Sequence, residues 1–252
     1  MPYPILDPSR PDPTLQAKCA LAVMAKAPRA GKVKTRLSPP LTLEQSAALN
    51  TCFLQDTTQN IAEAAATGSA SGLVCYTPIG DEALFDGLLP GGFALIPQRG
   101  DDFGERLLAA AQDILACGFG SVCLIDSDSP TVPAAAYRQA IEALSCAGDR
   151  IVVGGCNDGG YYLLGLKKAH YMPFTNIHWS TSTVYAETVS AIEAANIELV
   201  NLPVWYDVDD GETLNLLRSE LLHGMPVPFA EAAGYRAPHS RRFLNNLFGD
   251  CK

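Results

Sequence analysis

Short apolar runs alternate with longer segments of helical periodicity along most of this chain. Nearly continuous apolar runs are typical of strands that are buried on both faces of a parallel sheet. The predicted strands are 19–25, 73–76, 93–96, 121–125, 151–153, 161–166 and 197–202. The predicted helices are 43–66, 103–116, 134–144, 181–195 and 213–222. This alternation favours an α/β fold with a mostly parallel sheet covered on both faces.

The longest predicted helix has a recognisable start and end. Thr42 precedes it, and Gln45 follows three residues later, which is the pattern of a capping box. The stretch 68–72, with a glycine at each end, closes the helix in this reading.

Composition narrows the range of functions. The chain has 252 residues and a net charge of -9, which opposes non-specific binding to nucleic acids because such binding needs a basic surface. No apolar run approaches the length of a membrane span. The 8 cysteines include no Cys-x-x-Cys pair and lie mostly in apolar runs, so we expect reduced, buried thiols in a cytoplasmic protein. Residues 1–18 are predicted to be a proline-rich exposed arm, and residues 223–252 a peripheral tail or small appended helix.

One predicted strand ends abruptly in Asp126-Ser127-Asp128. The carboxyl ends of strands in open α/β sheets are where ligands bind. Two bare carboxylates about 4 Å apart repel each other by about 1 kcal/mol in water and by about 4 kcal/mol at an effective dielectric constant near 20. A divalent cation such as Mg²⁺ or Mn²⁺ would relieve this repulsion, and Asp126 and Asp128 are therefore candidate metal ligands. The alternative is that one aspartate caps the following helix and the other is solvated.

A basic loop follows the first predicted strand. Residues 26–36 carry five cations in an otherwise acidic protein, at Lys26, Arg29, Lys32, Lys34 and Arg36. A loop between a strand and a helix can direct backbone N–H groups and cations at an anion. The loop has neither the Walker A pattern nor the Rossmann glycine pattern. It is either a phosphate-binding loop or a solvated basic loop.

A second acidic turn follows the last predicted strand, in Trp205-Tyr206-Asp207-Val208-Asp209-Asp210. Parallel strands bring their carboxyl ends to one edge of the sheet, so Asp209 could complete a metal site begun by Asp128. The alternative is capping of the next helix by Asp210 or Gly211.

Three further loops could contact a ligand. Residues 157–162 (NDGGYY) combine adjacent glycines with tyrosines, although Asp-Gly is also a common hairpin turn. Residues 100–106 (GDDFGER) open one helix and residues 179–183 (WSTST) precede another, so helix capping would explain both. Nucleophile-elbow and zinc-protease motifs are absent from the sequence. The residues thus indicate a metal-dependent enzyme that acts on a nucleotide diphosphate.

Six segments together resemble a bacterial family of glycosyltransferase-like proteins, some of them associated with radical-SAM proteins or arsenosugar biosynthesis. The segments are LAVMAKAPRAGKVKTRL, GERLLAAA, LIDSDSP, NDGGYYLLGL, WSTSTV and WYDVDDGETL, in this order within residues 19–217. That family is similar to the nucleotide-diphospho-sugar transferase superfamily. The resemblance implies a Rossmann-like, three-layer α/β/α type-A glycosyltransferase fold with a mixed sheet, over residues 19–222.

The resemblance also implies roles for individual residues. Lys26, Lys34 and Arg36 would bind the nucleotide phosphates, with the backbone near Ala25 facing the nucleoside. Asp128 and Asp209 would bind Mg²⁺ or Mn²⁺. Further implied contacts are those of Gly104 and Arg106 with the base, and of Asp158, Gly159 and Gly160 with the sugar or acceptor.

The basic loop departs from one pattern of the superfamily. It lacks the early Gly-Gly of sugar-phosphate nucleotidyltransferases. We therefore expect a metal-dependent transfer of a glycosyl group from a nucleotide-diphosphate sugar to an unknown small acceptor. Asp128, Lys34 and Arg36 would act on the diphosphate, and Asp158 would be a general base or acceptor contact. The alternatives are a nucleotidyltransferase that joins a nucleoside triphosphate to a sugar or alcohol phosphate, and a noncatalytic nucleotide-binding module.

Overall fold

A computed structural model describes residues 3–249. Seven strands of these residues form one sheet in the order β3-β2-β1-β4-β6-β5-β7. Their bounds are β1 Cys19–Lys26, β2 Ala70–Thr77, β3 Ala94–Pro97, β4 Ser121–Ile125, β5 Arg150–Cys156, β6 Tyr161–Leu166 and β7 Glu198–Trp205. Only β6 runs antiparallel to its neighbours, so the predicted mostly parallel mixed sheet is confirmed.

Within the described part of the chain, six α-helices cover the sheet: α1 Leu43–Ala64, α2 Phe103–Ala116, α3 Ala134–Ser145, α4 Val184–Ala194, α5 Gly211–His223 and α6 Pro238–Phe248. Leu21 and Val23 of β1 pack in a core with residues of α1, α3, α5 and α6. Ala20 and Ala22, on the opposite face of the same strand, pack in a second core with residues of α2 and α4. Because successive side chains of a strand point to opposite faces, this apolar strand serves both cores. The result is the predicted three-layer α/β/α arrangement.

The two ends of α1 differ in how well the sequence indicated them. The capping box is present, with Gln45 N donating to Thr42 Oγ1 at 3.2 Å and Thr42 N donating to Gln45 Oε1 at 2.8 Å. The predicted closing stretch at 68–72 is partly wrong, because β2 already begins at Ala70. Gly72 pairs with Leu21 of β1, and a Cβ at Gly72 would lie 2.2 Å from the Phe93 ring. This glycine therefore makes room for a neighbouring ring inside the sheet and does not form a turn.

The segment predicted to be an N-terminal arm is attached to the edge of the sheet. Leu6 N donates to Leu95 O, and Leu95 N donates to Pro4 O, both at 2.8 Å. The outer edge of β3 is thus partly covered, which protects an otherwise open strand edge.

The C-terminal region contains α6, which packs against α1 and α5. Leu244 of α6 is fully buried in the first core. The helix is also bound through its first turn, because the buried Asp56 of α1 accepts hydrogen bonds from His239 N at 2.9 Å and Ser240 N at 2.7 Å. Cys251 lies outside the described residues.

None of the helices in residues 3–249 has the length and apolarity needed to cross a lipid bilayer.

Candidate active site

Lys34 joins two acidic turns that are far apart in the sequence. Its Nζ lies 2.8 Å from Asp128 Oδ2 and 2.7 Å from Asp209 Oδ1, and the Lys34 side chain is only 5% exposed. Asp128 follows β4 and Asp209 follows β7, so both stand at the carboxyl edge of the sheet. Arg36 binds the same aspartate from solvent, with its terminal nitrogen 2.9 Å from Asp209 Oδ2. The structure therefore brings the basic loop and both acidic turns together.

The backbone and charges around Lys34 explain its position. Lys34 has a left-handed conformation, with φ of 47°, immediately before a short 3-10 helix at Thr35–Leu37. Burial lowers the pKa of the ammonium, but Asp128 and Asp209 outweigh burial, and the net pKa lies above its ordinary value. Lys34 is thus a charged, buried counter-ion to the two carboxylates.

A second group of possible metal ligands lies beside this bridge. Cys156, Asp158 and Asp207 each place a ligand atom within 4.8 Å of the others. The pairing of β5 with β7 sets this proximity, since Cys156 pairs with Trp205 and Asn157 N donates to Trp205 O at 3.0 Å. Burial, followed by the charges of Asp158 and Asp209, raises the pKa of Asp207 to about 6.

Asp126 lies in the wall of a cavity that Asp128 and Asp207 also line. Its Oδ2 accepts a hydrogen bond from Ser129 Oγ at 2.7 Å. Its Oδ1 is buried and has no hydrogen-bond partner among residues 3–249. Burial, followed by the charge of Asp128, holds the pKa of this carboxyl well above its ordinary value. An unpaired buried oxygen of this kind is costly unless a ligand, ion or water satisfies it.

Two cavities meet at the Lys34 bridge and share Arg36, Asp128 and Asp209. The first, here called the basic cavity, has a volume of about 330 Å³ and also contains Lys26, Lys32 and Lys34 in its wall. The second, here called the acidic cavity, has a volume of about 510 Å³. Its wall contains the carboxylates of Asp126, Asp128, Asp158, Asp207 and Asp209.

Aromatic side chains form another wall of the acidic cavity. The ring centroid of Trp179 lies 5.2 Å from that of Phe103 and 6.4 Å from that of Tyr161, both in edge-to-face arrangements. The hydroxyl-bearing residues 180–182 continue this wall. The cavity therefore offers carboxylates on one side and rings and hydroxyls on the other.

The glycines predicted to contact a ligand have packing roles. A Cβ at Gly104 would lie 2.6 Å from Trp179 Nε1, and a Cβ at Gly159 would lie 2.0 Å from Ser182 O. Gly159 also has a positive φ of 94°. Both glycines let the 179–183 segment pack closely against its neighbours, and Gly160 lines the acidic cavity.

The remaining predicted residues occupy different places. Lys26 ends β1 at the basic cavity, whereas Ala25 is buried within that strand. Arg106 donates a hydrogen bond to Asp101 O at 3.2 Å and so holds the turn before α2. Asp158 lines the acidic cavity, where its Oδ1 accepts from Gly160 N at 2.8 Å.

The sequence-based choice of site residues missed Asp207 and Cys156. Asp207 stood in the acidic turn already noted, and its alternation with Asp209 was the available signal. Cys156 gave no such signal, because an isolated cysteine at the end of an apolar strand is usually a core residue.

Comparisons with known proteins agree with this geometry at the level of the fold. Residues 60–181 match the sequence model of a bacterial family described as uncharacterized protein conserved in bacteria (DUF2064). A solved structure from Desulfovibrio desulfuricans, provisionally assigned as a nucleotide-diphospho-sugar transferase, is 29% identical with a TM-score of 0.71. The match covers 89% of this chain and 97% of that one. No curated protein matches the chain.

Two more distant structures show the fold alone. A nucleotidyl transferase from Methanothermobacter thermautotroptrophicus is 12% identical with a TM-score of 0.56, covering 82% of this chain and 99% of that one. The 4-diphosphocytidyl-2C-methyl-D-erythritol synthase of Anaerococcus prevotii is 10% identical with a TM-score of 0.54, covering 84% and 99%. The chain thus has the Rossmann-like α/β fold of nucleotide-dependent transferases, and over residues 60–181 it is similar to the DUF2064 family.

Proposed function

We propose that this protein is a cytoplasmic, metal-dependent transferase that uses a nucleotide-diphosphate sugar as glycosyl donor to a small acceptor. The convergence of Lys34, Asp128 and Asp209 between a basic and an acidic cavity carries the proposal. Similarity to a protein assigned as a nucleotide-diphospho-sugar transferase supports the donor class. The seven cysteines of residues 3–249 are free thiols, as is common in proteins of reducing compartments.

The residues fit a divalent cation. Carboxylate oxygens are the ligands that Mg²⁺ and Mn²⁺ prefer, and Asp128 and Asp209 would hold the ion, with Asp126 beside them. Asp126 Oδ1 is buried without a partner among residues 3–249, as expected of an oxygen beside an ion site. When bound, the ion supplies charge neutralisation to the diphosphate leaving group.

The cations of the chain act on the same leaving group. Lys26, Lys32, Lys34 and Arg36 line the basic cavity, where they would bind the diphosphate and offset its growing charge as the glycosyl bond breaks. Asp158 lines the neighbouring cavity, where it would accept a hydrogen bond or a proton from the acceptor hydroxyl.

Product analysis tests this function. The protein is incubated with Mn²⁺, a panel of nucleotide sugars and a panel of small hydroxyl compounds. We expect release of nucleoside diphosphate, and a loss of at least about a hundredfold in Asp128→Asn, which removes a charge that the metal needs. Asp86→Asn is the matched control, because it removes the same charge from an exposed turn that does not line either cavity.

Other products would contradict the proposal. Release of pyrophosphate from a nucleoside triphosphate in the presence of a sugar or alcohol phosphate would show nucleotidyl transfer. Tight metal-dependent nucleotide binding without turnover of any donor would show a noncatalytic binding module.

A further inference from the structure

The two cavities on either side of Lys34 carry opposite charge. The basic cavity has four cations and two carboxylates in its wall. The acidic cavity has five carboxylates and a single cation, Arg36. If the diphosphate binds in the basic cavity, as the proposed function requires, the acidic cavity is left for the acceptor.

Two residues in the wall of the acidic cavity each have a buried polar atom without a partner among residues 3–249. Asp126 Oδ1 and Tyr161 Oη are buried without a hydrogen-bond partner in the described part of the chain. Both residues line the cavity. A hydroxyl group both donates and accepts hydrogen bonds, so a hydroxyl-bearing ligand could satisfy either atom.

The surroundings of Asp126 oppose any further anion. Four further aspartates line the cavity beside Asp126, and carboxylate oxygens of Asp158 and Asp207 lie within 4.8 Å of each other. Among the described residues, Arg36 is the only cation in this wall, so a further anion would meet more carboxyl groups than cations.

The aromatic wall fits the same kind of ligand. Aromatic rings such as those of Trp179 and Tyr161 in this wall can contact the C–H groups of a sugar ring or a cationic group. Neither the rings nor the hydroxyls of residues 180–182 supply the positive charge that a phosphate or carboxylate requires.

We infer that the acidic cavity is an acceptor subsite for hydroxyl compounds that carry no phosphate or carboxylate. That the ligand is an acceptor rests on the proposed function. The exclusion of anions rests only on the charges and unpaired atoms of this cavity. A phosphorylated acceptor would place its charge among five aspartates. The subsite therefore opposes the sugar or alcohol phosphate that nucleotidyl transfer would need.

Reaction of cysteine thiols with charged reagents measures how strongly the cavity prefers cations to anions, and it requires no knowledge of the substrate. Cys156 lies in the wall of the acidic cavity, and Cys146 is exposed at the end of α3. The chain is treated with methanethiosulfonate reagents of similar size, one bearing 2-aminoethyl and the other 2-sulfonatoethyl. Each thiolate displaces sulfinate and forms a mixed disulfide, and mass spectrometry of the peptides gives both rates at each cysteine.

The ratio of the two rates isolates the local potential, because both reagents attack the same thiolate. The measured quantity is the reaction rate with the cationic reagent divided by the rate with the anionic reagent. We expect this ratio at Cys156 to exceed the ratios at Cys146 and for free 2-mercaptoethanol by about tenfold or more. The excess should persist with Mn²⁺ and shrink in Asp207→Asn. Ser182→Cys provides an exposed reporter in the wall of the same cavity, so slow reaction of Cys156 does not prevent the measurement.

A ratio at both reporters equal to or below that of Cys146 would overturn the inference, as would loss of the excess on adding Mn²⁺. These outcomes are separate from failure of the proposed function, which is read from nucleoside diphosphate release. If donor turnover is established, faster product formation with a sugar phosphate than with the same unphosphorylated sugar would also overturn it.

Discussion

Lys34 Nζ lies 2.8 Å from Asp128 Oδ2 and occupies the space between the two carboxylates that we propose as metal ligands. An ammonium group in this place neutralises Asp128 and Asp209 when no ion is bound. A divalent cation has to compete with it, and a nucleotide diphosphate offers Lys34 another anionic partner. The same side chain therefore links the metal site to the phosphate site.

Removal of this ammonium should strengthen binding of the metal alone. We predict that Lys34→Met lowers the Kd for Mn²⁺ by about tenfold or more in the absence of nucleotide, because two carboxylates then lack their buried cation. Electron paramagnetic resonance of free Mn²⁺ measures this Kd. Lys32→Met, in the same loop, removes an equal charge without breaking the bridge and should leave the Kd nearly unchanged. Equal affinities in wild type and Lys34→Met would show that Lys34 does not compete with the metal.

The contact between Gly159 and the 179–183 segment should be sensitive to a single methyl group. Gly159→Ala places a Cβ 2.0 Å from Ser182 O on a backbone with φ of 94°, so both a clash and backbone strain result. We predict a loss of at least about 1 kcal/mol in the free energy of unfolding, measured by urea denaturation. Gly91→Ala, where a Cβ would meet nothing within 4 Å, is the control and should be nearly neutral. A neutral Gly159→Ala would mean that the hairpin and this segment are not packed as described.

Docking of α6 should depend on Asp56. This buried carboxylate accepts hydrogen bonds from His239 N and Ser240 N, and Asp56→Ala leaves both donors unpaired. We predict a cost of about 1–3 kcal/mol in the free energy of unfolding. Amide hydrogen exchange in residues 238–248 should increase at the same time. Unchanged exchange there would show that other contacts hold the helix.

The same residue gives a pH dependence of known sign. Burial raises the pKa of Asp56 above its ordinary value in spite of these hydrogen bonds. The folded protein therefore takes up this proton at a higher pH than the unfolded chain does. Relative to Asp56→Asn, the unfolding free energy of wild type should increase as the pH falls through the pKa of Asp56 in the folded protein. It should decrease as the pH rises through that pKa. A difference in unfolding free energy that moves in the opposite direction would contradict the burial of this charge.

The sequence indicated the framework well because the framework depends on local patterns. The apolar runs placed β1 and β4, and Thr42 with Gln45 gave the start of α1. Convergence of Asp128 and Asp209 followed from parallel topology, which sends the ends of both strands to one edge.

The rest depends on contacts between segments that are distant in the sequence. Gly72 was predicted to close a helix, but it makes room for the Phe93 ring inside the sheet. Gly104, expected to contact the base, makes room for Trp179. The helix predicted at 181 begins at Val184, since Thr181 Oγ1 first donates to His178 O at 2.6 Å. Cys156 joins the site only through the pairing of β5 with β7, which no local pattern of the chain specifies.

Binding of Mn²⁺ together with a nucleoside diphosphate shows whether Asp128 and Asp209 form a metal site. Wild type, Asp128→Asn, Asp209→Asn and the control Asp86→Asn are titrated with Mn²⁺ in the presence of ADP, CDP, GDP or UDP. We expect at least one diphosphate to tighten Mn²⁺ binding to wild type and to Asp86→Asn, and each of the other two substitutions to weaken Mn²⁺ binding by about tenfold or more. Equal Mn²⁺ affinity in all four proteins would contradict a metal site formed by Asp128 and Asp209.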